Sequence, residues 1–394
     1  MSTTLQPLPG GLQVAVQACL FLGAVSRSRS FRALLFPPVL AMSLYMLLYT
    51  TTGKDSDDIV TWSLITTSLL QGSDILLIND VADLRLLGQK TPTNELSLWQ
   101  RIKWAGHLMS APRAVGFTHE PRHVFPPHPP ANEPRWTFIK RQSLTALFYF
   151  VILDLVHTFI VLSPVFQRDG VSLTSIDWPM RFLYTALHAA HLWSYMSFGY
   201  TAASVVLVAL GVSDSDQWPA IYGDWSNAYT IRRFWGFSDA YAELSHPFSI
   251  GTELPAQIVS THGDFVTYRF LALPKGTFLA DNVHRYTAFF ISGVIHAVGE
   301  YGMFRDQWWQ KSGALRFFLL QATAILVEQE VGKIFKLRPT PLLRRLGYVW
   351  TFLWFVFTLP HWMDPQFRQG MADNYGFPLS VSYGLLKGQW RLVA

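Results

Sequence analysis

Apolar residues run along this chain in long, weakly interrupted blocks instead of alternating with polar ones. A block of about 20 apolar residues is what a helix needs to cross a bilayer core. Eight such blocks are legible, at 11–27, 33–52, 59–79, 143–163, 182–210, 284–303, 315–332 and 347–363. They predict an all-α, polytopic integral membrane bundle of about eight spans. The first block is the weakest, because Gly10, Gly11 and Gln17 dilute it. The pattern breaks most clearly over 80–142. There LSLWQRIKWAGHLM (96–109) mixes apolar and basic residues at near-helical spacing, which fits a helix lying in the membrane interface. HEPRHVFPPHPPANEPRW (119–136) carries too many prolines for a continuous helix and reads as an extended linker. No internal repeat and no second soluble domain is visible, so residues 1–394 are read as a single membrane-embedded domain.

Composition agrees with that picture. Half of the residues are hydrophobic, 15% aromatic and only 14% charged, and the mean hydropathy is +0.21. That balance suits a membrane protein better than a soluble one. Orientation follows from the basic residues in the connections. Segment 26–32 holds Arg27, Arg29 and Arg32, 80–142 holds nine Lys and Arg against five acids, and 333–346 holds five basic residues. With eight spans all three fall on one side, taken as the cytosol, and the acidic segment 53–58 falls opposite. The long segment 211–283 is then also cytosolic, although its eight acids outnumber its four basic residues. Both termini face the lumen.

A sequence pI near 9.2 does not point to nucleic acid, since the basic residues are spread over short flanking loops and form no stripe. They serve orientation and attraction to anionic headgroups. The lone cysteine, Cys19, excludes a disulfide within the chain and a cysteine zinc site. The start, MSTTLQPLPGG, lacks a basic n-region, so the first span is expected to be retained and not cleaved.

The candidate chemistry concentrates in 211–303. HRYTAFFISGVIHAVGEYGM (284–303) places His296 inside an apolar stretch, where an ionisable group is costly. Ser292 and Glu300 lie four residues either side and share its helical face, so the three suggest a pocket. Upstream, WPAIYGDWSNAYTIRRFWGFSDAYAELSHPFS (218–249) is dense in aromatics and holds Arg232 and Arg233 beside Phe234 and Trp235. Guanidinium binds phosphate by forked hydrogen bonds and aromatic faces stack a base, so the segment suits a nucleotide-bearing anion. It also suits a belt of interface anchors. Other histidines carry less. His188 and His191 share a face but have no carboxylate at metal-ligand spacing. Asp154 and His157 are expected to pair with each other. His119, His123 and His128 are read as solvated loop residues, and no metal is expected.

The order WP, YG, SNAYTIRRFWG (226–236), then FFISGVIHAVGEY (289–301), resembles the wax-synthase-like branch of the membrane-bound O-acyltransferases. More narrowly it is similar to fungal multi-span proteins that acetylate hydroxyl groups of secondary metabolites. The resemblance implies that His296, in the Ser-Gly-x-x-His run, is catalytic. It places Arg233, Phe234, Trp235 and Gly236 near the reaction centre and acyl donor. Family members continue past Phe-Trp-Gly into a Trp-His pair; this chain reads FWGFSDAYAEL, with Asp239 in that neighbourhood.

The expected activity is therefore an acyl-CoA-dependent O-acyltransferase, with His296 as general base and Asp239 or Glu300 orienting it. Ser292, Glu300, Arg232, Arg233 and Trp235 are the expected substrate-binding residues. No resident cofactor is expected; acyl-CoA, and by the resemblance acetyl-CoA, is the co-substrate, and the partners are a hydrophobic alcohol and the lipid bilayer. The expected location is the endoplasmic reticulum membrane. An alternative is a membrane-bound terpene cyclase or isomerase in which Asp239 or Glu300 donates a proton and aromatics stabilise a cation. A third reading is a non-catalytic transporter or scaffold.

Overall fold

The structure is a computed structural model that describes residues 5–81, 83–110, 115–118, 120, 127–223, 225–236, 255–374 and 380–390. Among them are fourteen α-helices and one two-residue pair of parallel strands, β1 (Gln6–Pro7) and β2 (Thr50–Thr51). The helices are α1 (Gly10–Val25), α2 (Arg29–Tyr49), α3 (Asp55–Ser73), α4 (Leu98–Ser110), α5 (Arg135–Leu162), α6 (Trp178–Ala209) and α7 (Ile231–Trp235). They continue with α8 (Pro255–Asp264), α9 (Phe278–Phe304), α10 (Trp308–Lys311), α11 (Ala314–Ile334), α12 (Pro341–Thr358), α13 (Pro360–Arg368) and α14 (Val381–Lys387). Two π-helical segments, Asp74–Ile78 and Phe265–Phe270, continue α3 and α8 directly.

Each of the eight apolar blocks is mainly helical, in α1, α2, α3, α5, α6, α9, α11 and α12 in turn, although 59–79 runs past α3 into a π-helical segment and 347–363 is divided between α12 and α13. Among the described residues, three of these, α2, α5 and α6, are long and apolar enough to cross a membrane, and α12 with α13, bent by 41°, makes a fourth candidate. The others fall short for visible reasons. α1 has only 16 residues, and α3 opens with Asp55, Asp57 and Asp58. His296, Glu300 and several glycines dilute α9, and Glu328 and Glu330 dilute α11.

The chain divides into two compact units, residues 1–121 with 252–322 and residues 122–251 with 323–394. In the first, Val16, Leu20, Val39, Met46, Trp62 and Phe117 are fully buried and belong to one hydrophobic cluster. The segment expected to lie in the membrane interface is indeed helical, as α4. Its Trp104 is nonetheless buried and packs edge-on against Phe117, while Leu98 and Trp99 remain exposed. Helices α3 and α9 approach closely because α9 offers glycine at the contact. A Cβ on Gly299 would lie 2.6 Å from the Ile59 carbonyl oxygen, and one on Gly302 3.0 Å from that of Asp58. Small residues at such seams let membrane helices pack backbone to backbone.

The second unit has a hydrophobic cluster that includes Ile160, Val165, Phe166 and Phe367, but α6 buries a polar face and α5 exposes an apolar one. Thr185, His188, His191, Ser194, Ser197, Thr201 and Ser204 of α6 are buried, whereas Leu144, Leu147, Phe148, Val151, Leu155 and Phe159 of α5 are exposed. That inversion suits a helix pair with lipid outside and polar partners within. The expected Asp154–His157 pair gives way to a different arrangement. The Asp154 carboxylate accepts from the backbone N–H groups of Val381 (3.1 Å) and Ser382 (2.8 Å) at the start of α14. His157 instead lies 5.6 Å, ring to ring, from His191. A carboxylate is stabilised at a helix N-terminus by unsatisfied N–H donors and the helix dipole, so α14 outcompetes an imidazole.

Candidate active site

Helix α9 starts where Thr277 caps it, its hydroxyl accepting from the Ala280 N–H, with Asp281 in the first turn. It ends at Arg305, whose φ of +46° turns the chain sharply. Ser292, His296 and Glu300 all lie on this helix, as the four-residue spacing requires, with Ser292 and Glu300 buried and His296 partly so. The His296 ring stacks on Phe318 of α11, centroids 5.0 Å apart and planes within 6°. Gly293 makes room for that neighbour, since a Cβ there would meet the Leu315 Cα at 3.1 Å.

Glu300 does something the spacing did not reveal. Its Oε2 accepts from the Ser312 hydroxyl at 2.5 Å and the Ala314 N–H at 3.1 Å, and its Oε1 from the Gly313 N–H at 3.3 Å. The carboxylate thus caps the start of α11, one turn before Phe318. It positions the aromatic wall on which His296 rests. Trp308 closes the same corner by donating its indole N–H to the Ala297 carbonyl at 2.7 Å.

In the second unit the arginine segment forms the short helix α7. Thr230 caps it, accepting from the Arg233 N–H at 3.0 Å, and Gly236, at φ +71°, ends it in a left-handed conformation that glycine adopts without strain. Glu328 of α11 accepts from the N–H groups of Ile231 (2.8 Å) and Arg232 (3.1 Å), and also from the Trp350 indole (2.8 Å). The Arg233 guanidinium lies 4.5 Å from the Tyr229 ring centroid, and that of Arg344 lies 5.4 Å from it. Burial pulls the Arg233 pKa below its ordinary value; Tyr229 counters this and the charges of Arg344 and Arg232 add to it. Phe234 and Trp235 pack on Phe355, at 4.3 and 6.1 Å.

The structure therefore brings Ser292, His296 and Glu300 together on one helix of the first unit. It brings Arg232, Arg233 and Trp235 together on one helical turn of the second. Asp239 lies outside the described residues, as do His119 and His123. His128 contacts the Asp216 carbonyl through Nδ1 at 2.6 Å. His188 and His191 are buried on α6, the former edge-on to Phe367 at 5.0 Å. Among the described residues no group of three or more metal-ligating side chains converges. Sequence reasoning missed Glu328, Arg344 and Phe318. Glu328 had a signal, being a carboxylate within an apolar block, the same feature that singled out His296; Phe318 had none among so many phenylalanines.

Comparison with known proteins bears on both halves. The model of the membrane bound O-acyl transferase family matches residues 218–320, a stretch that contains the arginine turn and the histidine of α9. The acetyltransferase eriL of Hericium erinaceus is 92% identical over 394 residues, all of both chains. The acetyltransferase ple2 of Rhodocybe pseudopiperita is 30% identical over 393 residues, 98% of each chain. The acetyltransferase aurG of Calcarisporium arbuscula is 28% identical over 309 residues, covering 73% of this chain and 70% of its own. No solved structure matches the chain. The chain belongs to the membrane-bound O-acyltransferase family, and it is an acyltransferase.

Proposed function

We propose that the protein transfers an acetyl group from acetyl-CoA to a hydroxyl on a hydrophobic metabolite, with His296 as the general base. The observation that carries this reading is the setting of His296. It sits in an apolar helix, on the face it shares with Ser292 and Glu300, with its ring held against Phe318 by a capped helix start. The names of the relatives supply the acetyl group. In the reaction a neutral imidazole nitrogen accepts the hydroxyl proton as that oxygen attacks the thioester carbonyl. The C–S bond then breaks and the coenzyme leaves as its thiol, taking up a proton.

Arg232 and Arg233, backed by Arg344, are suited to the phosphates of the donor, and Trp235 to its flat groups. Asp239 would orient His296 or contact the acceptor, in place of the family's Trp-His pair. Eight spans in the endoplasmic reticulum membrane, with the basic loops cytosolic, would let the donor arrive from the cytosol and an apolar alcohol from the bilayer. The engagement of Glu300 by α11 counts against its use as the acid of a cyclase.

The test is incubation of membranes carrying the protein with isotopically labelled acetyl-CoA and candidate hydrophobic alcohols. The reading expects an alcohol that gains one labelled acetyl group, dependent on His296. An equal-mass product formed without any acyl-CoA overturns it and favours a cyclase or isomerase. In that assay Asp239→Asn should retain a measurable rate, because the amide keeps the shape and one acceptor.

A further inference from the structure

Away from His296, the first unit holds a serine–histidine contact at a place where two helices change their winding together. α3 ends at Ser73 and passes into the π-helical segment Asp74–Ile78, and α8 ends just beyond His262 and passes into the π-helical segment Phe265–Phe270. Single π-helical turns interrupt α-helices mostly at functional sites, because the inserted residue re-aims the side chains around it. Here the two interruptions are tied at both ends. His262 Nε2 lies 2.8 Å from Ser73 Oγ, and Arg269 donates from Nη1 to the Ile78 carbonyl at 2.9 Å.

The tautomer of His262 follows from its other contact. Nδ1 lies 2.6 Å from the Ile258 carbonyl oxygen, which can only accept, so Nδ1 carries the proton. Burial lowers the pKa of this ring, with the Ile258 contact opposing, so the imidazole is neutral and Nε2 offers its lone pair to the Ser73 hydroxyl. That hydroxyl also lies 2.8 Å from the Leu70 carbonyl, so one proton serves two acceptors, of which only the imidazole can keep it. Ser63 and Ser204 likewise turn their hydroxyls back to carbonyls of their own helices, to Ile59 and Thr201. Ser73 and His262 are both partly exposed, so a reagent can reach them. The Ile258 carbonyl, the imidazole and the hydroxyl complete the orienter–base–nucleophile arrangement of an activated serine.

We propose that Ser73 and His262 form a nucleophile–base pair that accepts an acyl group from a thioester, giving an O-acylserine without the help of His296. The Ser73 Oγ–acyl bond forms as the thioester C–S bond breaks, and the hydroxyl proton passes through His262 Nε2 to the departing thiolate. Water attacking the ester, with His262 again taking the proton, releases the free acid and restores Ser73. The choice of a thioester rests on the reading above, whereas the activation of Ser73 does not.

The test therefore uses a donor-independent probe first. Full-length protein in membranes is treated with a fluorophosphonate, and the labelled residue is located by peptide mass. Label on Ser73 is expected in the wild type and in His296→Ala, absent in Ser73→Ala, and formed about 10²-fold more slowly in His262→Gln. Ser73→Cys, alkylated with iodoacetamide in the presence and absence of the His262→Gln change, repeats the comparison with a smaller reagent. No reaction at position 73 with either reagent, or rates indifferent to His262→Gln, overturns the pair. Acetyl-CoA then replaces the probe. A gain of one acetyl group on the Ser73 peptide supports the thioester as donor. Phosphonate labelling without acetylation, in protein that acetylates an alcohol, overturns that part alone; the same result in protein that acetylates nothing points to failure of the functional reading instead.

Discussion

The corner around Glu300 and the corner around Glu328 use one device for two ends. In each, a carboxylate projecting from a largely apolar helix takes up the backbone N–H groups at the start of another helix, and the helix so fixed carries a candidate site residue. The first corner is sealed: Glu300 is wholly buried, and one hydroxyl and two N–H groups are among its donors. What it fixes is Phe318, a neutral wall for His296. The second corner is more open, with Glu328 only partly buried and an indole among its donors. What it fixes is a turn of arginines. With the roles proposed above, a base that must stay dry gains from closure, whereas cations that must meet an anionic donor gain from access.

The largest expected effect tests the sealed corner. His296→Ala should lower turnover about 10²–10⁴-fold while leaving insertion near normal, as measured with labelled acetyl-CoA on purified protein. Retention of more than about a tenth of the rate would remove the base from the picture and leave the corner merely structural. Next, Glu300→Ala strands the Ser312 hydroxyl and two buried N–H groups, and should destabilise the protein by about 1–3 kcal/mol in thermal unfolding, with Glu300→Gln intermediate. It should also slow turnover more than it changes the donor KM. If it raises only the donor KM, the contrast between the corners is broken.

The open corner should respond the other way. Arg233→Ala is expected to raise the donor KM with little change in kcat, since a phosphate contact present in ground and transition states alike changes binding alone. The salt dependence of that KM should weaken in the variant. An unchanged KM would return Arg233 to a packing role on Tyr229. Smallest are the effects on stability alone. Gly299→Ala would push a Cβ to 2.6 Å from the Ile59 carbonyl and should cost about 1–3 kcal/mol. Gly332→Ala, with nothing within 4 Å of its Cβ, should gain up to about 1 kcal/mol.

Much of the helical framework was legible because apolar length is a local property of the chain. Block 182–210 and helix Trp178–Ala209 differ by a few residues at one end and one at the other. The family was legible because two motifs stand in order within 218–320. The duties of the carboxylates were not. Spacing placed Glu300 beside His296 on one face, but its carboxylate is claimed by donors that return only after the reversal at Arg305. Asp154 was matched to its helical neighbour, yet its donors lie 227 and 228 residues away. Glu328 meets donors 97 and 96 residues away. Sequence proximity ranks the candidates for such groups, whereas backbone N–H groups made available by tertiary folding decide among them.

Helix length sets a demand on the surrounding lipid. At about 1.5 Å per residue, the 16 residues of α1 reach about 24 Å and the 32 residues of α6 about 48 Å, on either side of a hydrocarbon core of about 30 Å. The longer helix has length to spare, which a spanning helix takes up by tilting or by extending beyond the hydrocarbon, at a fraction of a kcal/mol per ångström of mismatch. The shorter one falls about 6 Å short of that core and reaches across it only where the bilayer thins around it.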